Sequence, residues 1–189
     1  MQTKVALFDR VYLNQPKELL TPEQVLSLIR EDDSIKRASL TILNNHRAAI
    51  EAGYPEGKKA YQNDKANTLQ AVLFSGAMKD KSSSADVDFK HSGLITLDID
   101  GNGQEAQELL YNAVLKDDNV HSAALSVSGP VTGDFWASWL VEMPGGEDLS
   151  KLHKDWHDCI AEQLAAKTGT QPAKGGTPKR TRYLAHDPN

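Results

Sequence analysis

The sequence predicts an α+β fold, and three observations carry that prediction. Apolar, β-rich runs of strand length recur at 69–74, 94–99, 120–127 and 135–142. Residues 149–166 place Leu152, Trp156, Ile160 and Leu164 at intervals of four, the spacing of one helix face, and Gly169 ends that helix. After an N-terminal helical part the order runs strand, strand, helix, strand, strand, helix, strand, with strands and helices mixed in one unit.

Residues 5–13 alternate weakly, with Val5, Leu7, Val11 and Leu13 apolar, and read as a first strand. Thr21-Pro22-Glu23-Gln24 is a helix start: Thr21 caps, Pro22 suits the first helical position and Gln24 closes a capping box. Val25, Leu26 and Ile29 line one face as far as Arg30. A second helix over 38–52 carries Ile42, Leu43, Ala49 and Ile50 and ends at Gly53. Pro55 and Gly57 mark a turn, and 58–65 is merely polar. The run 69–74 closes at Ser75-Gly76, and 79–88 is a charged, serine-rich loop. A helix over 105–115 turns Leu109, Leu110 and Val114 inward; 120–127 and 135–142 follow as hairpin partners. Gly175-Gly176 is a joint before a basic segment and a last strand over 182–185. Residues 1–64 thus form an N-terminal strand and helical module and 65–189 a core, packed as one unit. The β, α, β, β order from 94 to 141 is similar to half of a ferredoxin-like, or RNA-recognition-like, sheet.

At 189 residues the chain suits one substantial domain. Its net charge of -5 argues against general nucleic-acid affinity, so any such function rests on a local basic patch. The single cysteine, Cys159, excludes an internal disulfide and a cysteine-rich zinc site and fits a reducing compartment. No apolar run approaches the ~20 residues of a membrane span, and no secretory signal opens the chain. The expectation is a cytoplasmic protein with no membrane partner.

The run Leu94–Ile99 meets Asp98 and Asp100, then Gly101-Asn102-Gly103. Side chains at i and i+2 of a strand share a face, so the two carboxylates stand side by side where the glycines turn the chain away. Like charges so close call for a cation, and hard oxygens suit Mg²⁺ or Mn²⁺ and, through the metal, a nucleotide's phosphates. The same segment also reads as a strand end with two solvated aspartates. It starts like an EF-hand loop but fails at its end, where Leu109 stands in place of the bidentate Glu.

Ser126, Ser128 and Gly129 offer hydroxyls and an N–H to a phosphate, or form a plain turn between strands. Lys174, Lys179, Arg180 and Arg182 make a basic run free of acids, the best phosphate-contacting candidate, or a solvated tail. His153 and His157 share a helix face as metal ligands do, but without further ligands they read as surface histidines. Cys159 reads as a small packing residue.

Four pieces in order, Leu73-Phe74-Ser75-Gly76, His91-Ser92-Gly93-Leu94-Ile95-Thr96-Leu97-Asp98-Ile99-Asp100, Ser126-Val127-Ser128-Gly129, and Arg180-Thr181-Arg182-Tyr183-Leu184-Ala185-His186-Asp187-Pro188, resemble a known family. It is the primase-like N-terminal domain of virulence-associated E proteins, within the archaeo-eukaryotic primase (primase-polymerase) superfamily. The resemblance spans 65–189 and implies an RNA-recognition-like primase catalytic core from a mobile genetic element. It implies nucleotidyl transfer in DNA replication, from nucleoside triphosphates on a single-stranded DNA template with Mg²⁺ or Mn²⁺, beside a helicase. Asp98 and Asp100 match the catalytic metal-binding motif. Ser126, Ser128 and Gly129 match the motif that contacts nucleotide phosphates, joined by Arg180, Arg182 and His186. Lys174, Lys179 and Arg180 are the expected nucleic-acid contacts. The chain ends where the family's domain closes, which implies a fragment or a stand-alone remnant.

Two departures stand against the resemblance. Pro130 to Trp136 replaces the family's basic continuation of the second motif, and no acid occurs over 168–183, where a third metal-binding aspartate is expected. A degenerate, non-catalytic primase-fold domain that binds nucleic acid or a protein is the alternative reading.

Overall fold

The computed structural model describes residues 3–54, 56–80, 89–100, 102–144, 148–172, 177 and 180–187. Lys174, Lys179, the Gly175-Gly176 joint, Gly101 and most of the serine-rich loop lie outside them.

Mixed α and β structure is present, with antiparallel sheets. Strand β1 (Val5–Phe8) pairs with β2 (Glu18–Leu20) on one side and β3 (Ala71–Leu73) on the other, and β3 pairs in turn with β9 (Arg182–Tyr183). The first strand is shorter than the alternation suggested, because the chain turns at Arg10, whose carbonyl accepts from the Leu13 N–H. A two-residue ladder joins β4 (Gly76–Ala77) to β5 (Lys90–His91). A second sheet holds β6 (Leu94–Ile99), β7 (Val120–Leu125) and β8 (Phe135–Leu140), with β8, the last in sequence, in the middle.

Helix α1 (Pro22–Glu31) starts on the expected capping box, with both reciprocal bonds between Thr21 and Gln24 formed. Helix α2 (Asp33–Glu51) begins before the anticipated Ala38, because Asp32 caps it: its Oδ1 accepts from the Ser34 and Ile35 N–H groups at 2.7 and 3.0 Å. Residues read only as polar form α3 (Lys58–Thr68). That helix buries only Tyr61, so no apolar stripe announced it. Helices α4 (Gln104–Leu115) and α6 (Leu149–Thr168) fall where expected. The predicted hairpin turn between β7 and β8 is instead a single helical turn, α5 (Gly129–Thr132).

Alternation along β6 gives the sheet two buried faces. Ile95, Leu97 and Ile99 pack with Phe135, Ala137 and Trp139 against α4 and α6 through Leu110, Val114, Ile160 and Leu164. On the opposite face Leu94 and Trp136 meet Val5, Leu7, Val72, Phe74 and Leu184, which brings the first sheet against the second. A third cluster, with Ile42, Leu43, Ile50 and Tyr61, anchors α2 and α3 against Val127 and Ala185. The boundary expected at 64/65 falls inside α3.

Candidate functional site

Pairing between β6 and β8 sets the site. The register matches Asp98 with Trp136 and Ile99 with Phe135, so one step further along, Asp100 and Asp134 leave adjacent strands together. All three carboxylates line a cleft of about 530 Å³. Ser126 and Ser128 enter it from the β7–α5 connection, Arg180 and Arg182 from the last segment, and Lys58, Tyr61, Gln62 and Lys65 from α3. Four cationic side chains thus face three carboxylates in a chain that is acidic as a whole.

Asp98 is clasped from two sides. Arg180 Nη2 stands 2.9 Å from its Oδ2, and Arg182 Nε 2.7 Å from its Oδ1. The two guanidiniums differ in setting. Arg180 is half exposed, at 47%, whereas the Arg182 side chain is 7% exposed and donates from Nη2 to the Thr96 carbonyl at 3.0 Å. Arg182 Nε is not aimed along a hydrogen bond, so charge attraction holds that contact. Burial pulls the Arg182 guanidinium down to about 10, with the Asp98 charge opposing the fall.

Asp100 behaves differently. Burial in the cleft raises its carboxyl above the usual carboxylate range, and the neighbouring charges of Asp98 and Asp134 push it further up. Asp134 is positioned by α4: Gln107 Nε2 donates to its Oδ1 at 2.9 Å and also to the Ile99 carbonyl at 2.9 Å. Ser128 Oγ donates to Asp134 Oδ2 at 3.1 Å and lies 3.2 Å from Ser126 Oγ. Gln107, 1% exposed, therefore ties the end of β6 to the start of β8.

On the α3 side of the cleft, Lys65 Nζ sits 4.3 Å above the Tyr61 ring and 5.2 Å from that of Tyr183. Burial draws its ammonium down to about 8, while Asp98, Asp100 and Asp134 resist the fall. Burial also pushes the Tyr61 hydroxyl up.

Asp98, Asp100, Ser126, Ser128, Arg180 and Arg182 all line this one cleft. Gly129 and His186 are not among the residues lining the cleft. A Cβ on Gly129 would stand 2.4 Å from the Asp134 carbonyl oxygen and 2.9 Å from Leu125 Cβ, so this glycine permits a close backbone approach. His186 ties the C-terminal segment to α1 and α2: its Nδ1 is 3.0 Å from the Ile29 carbonyl, and its N–H donates to Ser39 Oγ. Asp187 likewise serves the fold, accepting from the Leu125 N–H at 2.7 Å. Lys174 and Lys179 lie outside the described residues.

No acid stands over 168–183, and the third carboxylate lining the cleft is Asp134. A pairing of 135–142 with 94–99, in addition to 120–127, was the signal that would have found it. Lys65 and Tyr61 escaped notice because α3 did. His153 and His157, read as surface residues, are each 2% exposed, since the buried stripe of α6 runs through them as well as Ile160 and Leu164.

Three hard carboxylates suit a divalent cation chemically, and the raised Asp100 carboxyl marks negative charge that a cation would relieve. Both Asp98 oxygens are engaged by arginine, however, and among the described residues no group of three or more His, Cys, Asp or Glu is placed to hold a metal. As arranged here the carboxylates do not form a ready metal site, and Asp98 would be available to a cation only after giving up an arginine contact. No helix among the described residues is long and apolar enough to cross a membrane. No protein-family model, curated protein or solved structure matches the chain.

Proposed function

We propose that the chain is a primase-polymerase-like domain of a mobile genetic element, which binds a nucleoside triphosphate in this cleft and transfers nucleotides on a single-stranded DNA template. One observation carries the reading: residues from separate pieces of the chain, Asp98 and Asp100, Ser126 and Ser128, Arg180 and Arg182, converge on a single polar cleft. The topology supports it. In β6-α4-β7-β8 the last strand lies between the first two, the order of half a ferredoxin-like sheet, consistent with an RNA-recognition-like catalytic core. Strand β9 departs from the complete pattern by pairing with β3.

In this reading Ser126 and Ser128 face the phosphates, and Arg180, the more exposed guanidinium, exchanges Asp98 for a phosphate oxygen. Arg182 stays in place and holds positive charge where the transferred phosphate gains negative charge. Asp98, once released by Arg180, with Asp100 and Asp134 would hold Mg²⁺ or Mn²⁺, which would lower the cost of attack by a 3′-hydroxyl on the α-phosphate as pyrophosphate leaves. Gln107 fixes Asp134 in place for that role. A helicase partner belongs to the same proposal.

The clasp on Asp98 favours one second reading, a degenerate domain whose acidic residue serves as an arginine partner and which binds nucleic acid or a protein. Titration calorimetry with ATP, with and without Mn²⁺, separates the two on the wild type and the Asp98→Ala/Asp100→Ala double variant. The catalytic reading expects Mn²⁺-dependent binding that the double variant loses. Failure of the wild type to bind ATP under either condition would leave only the second.

A further inference from the structure

The α3 wall of the cleft carries two polar groups that the fold leaves unanswered. The Lys65 ammonium has three N–H donors, yet among the described residues it meets only the faces of Tyr61 and Tyr183 and makes no hydrogen bond or ion pair. The Tyr61 hydroxyl is buried, on a residue 2% exposed, and among the described residues has no partner in hydrogen-bond geometry, although Ser128 and Tyr54 lie near it. Both residues line the cleft that holds the three carboxylates. A buried hydroxyl left unpaired is costly, and the partly buried ammonium beside it has donors to offer, so this wall is suited to an acceptor. Asp98 is spent on arginine and Asp134 on Gln107 and Ser128.

The three carboxylates together supply attraction at a distance but no ion pair with Lys65. An anion with several oxygens fits better. It would accept from the ammonium and from the phenol at once, while the two ring faces keep the lysine chain aligned. Seen this way, the aromatic clasp positions the cation without neutralising it.

We propose that Lys65, assisted by the Tyr61 hydroxyl, is a phosphate-binding residue of the cleft, gripping the phosphate chain of the nucleotide from the α3 wall. The inference rests on the nucleotide-site reading above and adds a binding wall from a segment outside the four motif pieces. It also gives α3 a function its sequence does not display, since the helix contributes a single residue to the core.

The test compares ATP, inorganic pyrophosphate and adenosine as probes for the wild type, Lys65→Met and Lys65→Arg, by calorimetry, with thermal unfolding of each variant. Lys65→Met is expected to weaken ATP and pyrophosphate binding about 10- to 100-fold, the range for hydrogen bonds to charged groups. Adenosine binding and the unfolding midpoint should stay unchanged, and Lys65→Arg should recover most of the ATP affinity. Wild-type binding of ATP that Lys65→Met leaves intact would overturn this inference while sparing the nucleotide site. Equal losses for adenosine and ATP, or a lowered midpoint in Lys65→Met, would assign the lysine to the nucleoside or to the fold and overturn it too. A wild type that binds none of the probes would remove the nucleotide site and this inference together.

Discussion

Two clusters of ionisable groups adjoin Arg182, and they meet the cost of burial in opposite ways. In the cleft, charge is kept and paired: Asp98 lies between two guanidiniums. Behind it, His91 of β5 and His153 and His157 of α6 give up their charge. The Gly93 N–H donates to His91 Nδ1 at 2.9 Å, so the His91 proton sits on Nε2 and is donated to His153 Nδ1, also at 2.9 Å. Burial pulls His91 down to about 4 and His153 to about 3. The charge of Arg182 adds to the effect at His153 and His157, and at His157 only Asp158 opposes it. A buried group stays ionised where an opposite charge is within reach, and is neutral where its neighbours share its sign.

Removing the shared element should have the largest effect. Arg182→Leu leaves the Thr96 carbonyl without its donor and Asp98 with one partner, and is expected to cost about 3 kcal/mol in urea unfolding. A loss under about 1 kcal/mol would mean that the buried pair contributes little beyond its replacement by an apolar side chain.

The histidine side is probed by pH. Each ring protonates more readily in the unfolded chain than in the fold, so the unfolded state takes up protons first as pH drops below about 6.5. Stability should therefore decline from there towards about 3, where the folded rings protonate as well. His153→Leu should flatten that decline by about 2 kcal/mol relative to the wild type, measured by unfolding at pH 7 and pH 4. Parallel profiles for the two proteins would show that His153 is not neutral in the fold.

Arg180→Ala provides the smallest effect. Its side chain is half exposed, so loss of the pair should change stability by less than about 1 kcal/mol, in contrast to Arg182. Equal costs at the two positions would erase the distinction between a movable and a fixed guanidinium.

The sequence shows helix α1 almost to the residue, because a capping box is a local arrangement of Thr21, Pro22 and Gln24. It also shows α6 and the strand character of β6, whose periodicities are local. Helix α3 was hidden: with only Tyr61 buried, its pattern carries no face. The same holds for the histidines, since a spacing of four places them on one side of α6 but cannot say which side meets the sheet.

Chain order and alternation thus determined the mixed α and β character, the acidic strand end and the hydroxyl-bearing turn, all of which depend on neighbours a few residues apart. Tertiary structure alone decided that Asp134 joins Asp98 and Asp100, that two arginines from the last segment hold Asp98, and that Lys65 faces the three carboxylates. Those arrangements join residues dozens of positions apart. They are fixed by strand register and by which apolar face of each element is buried, and so depend on the packing of the whole chain.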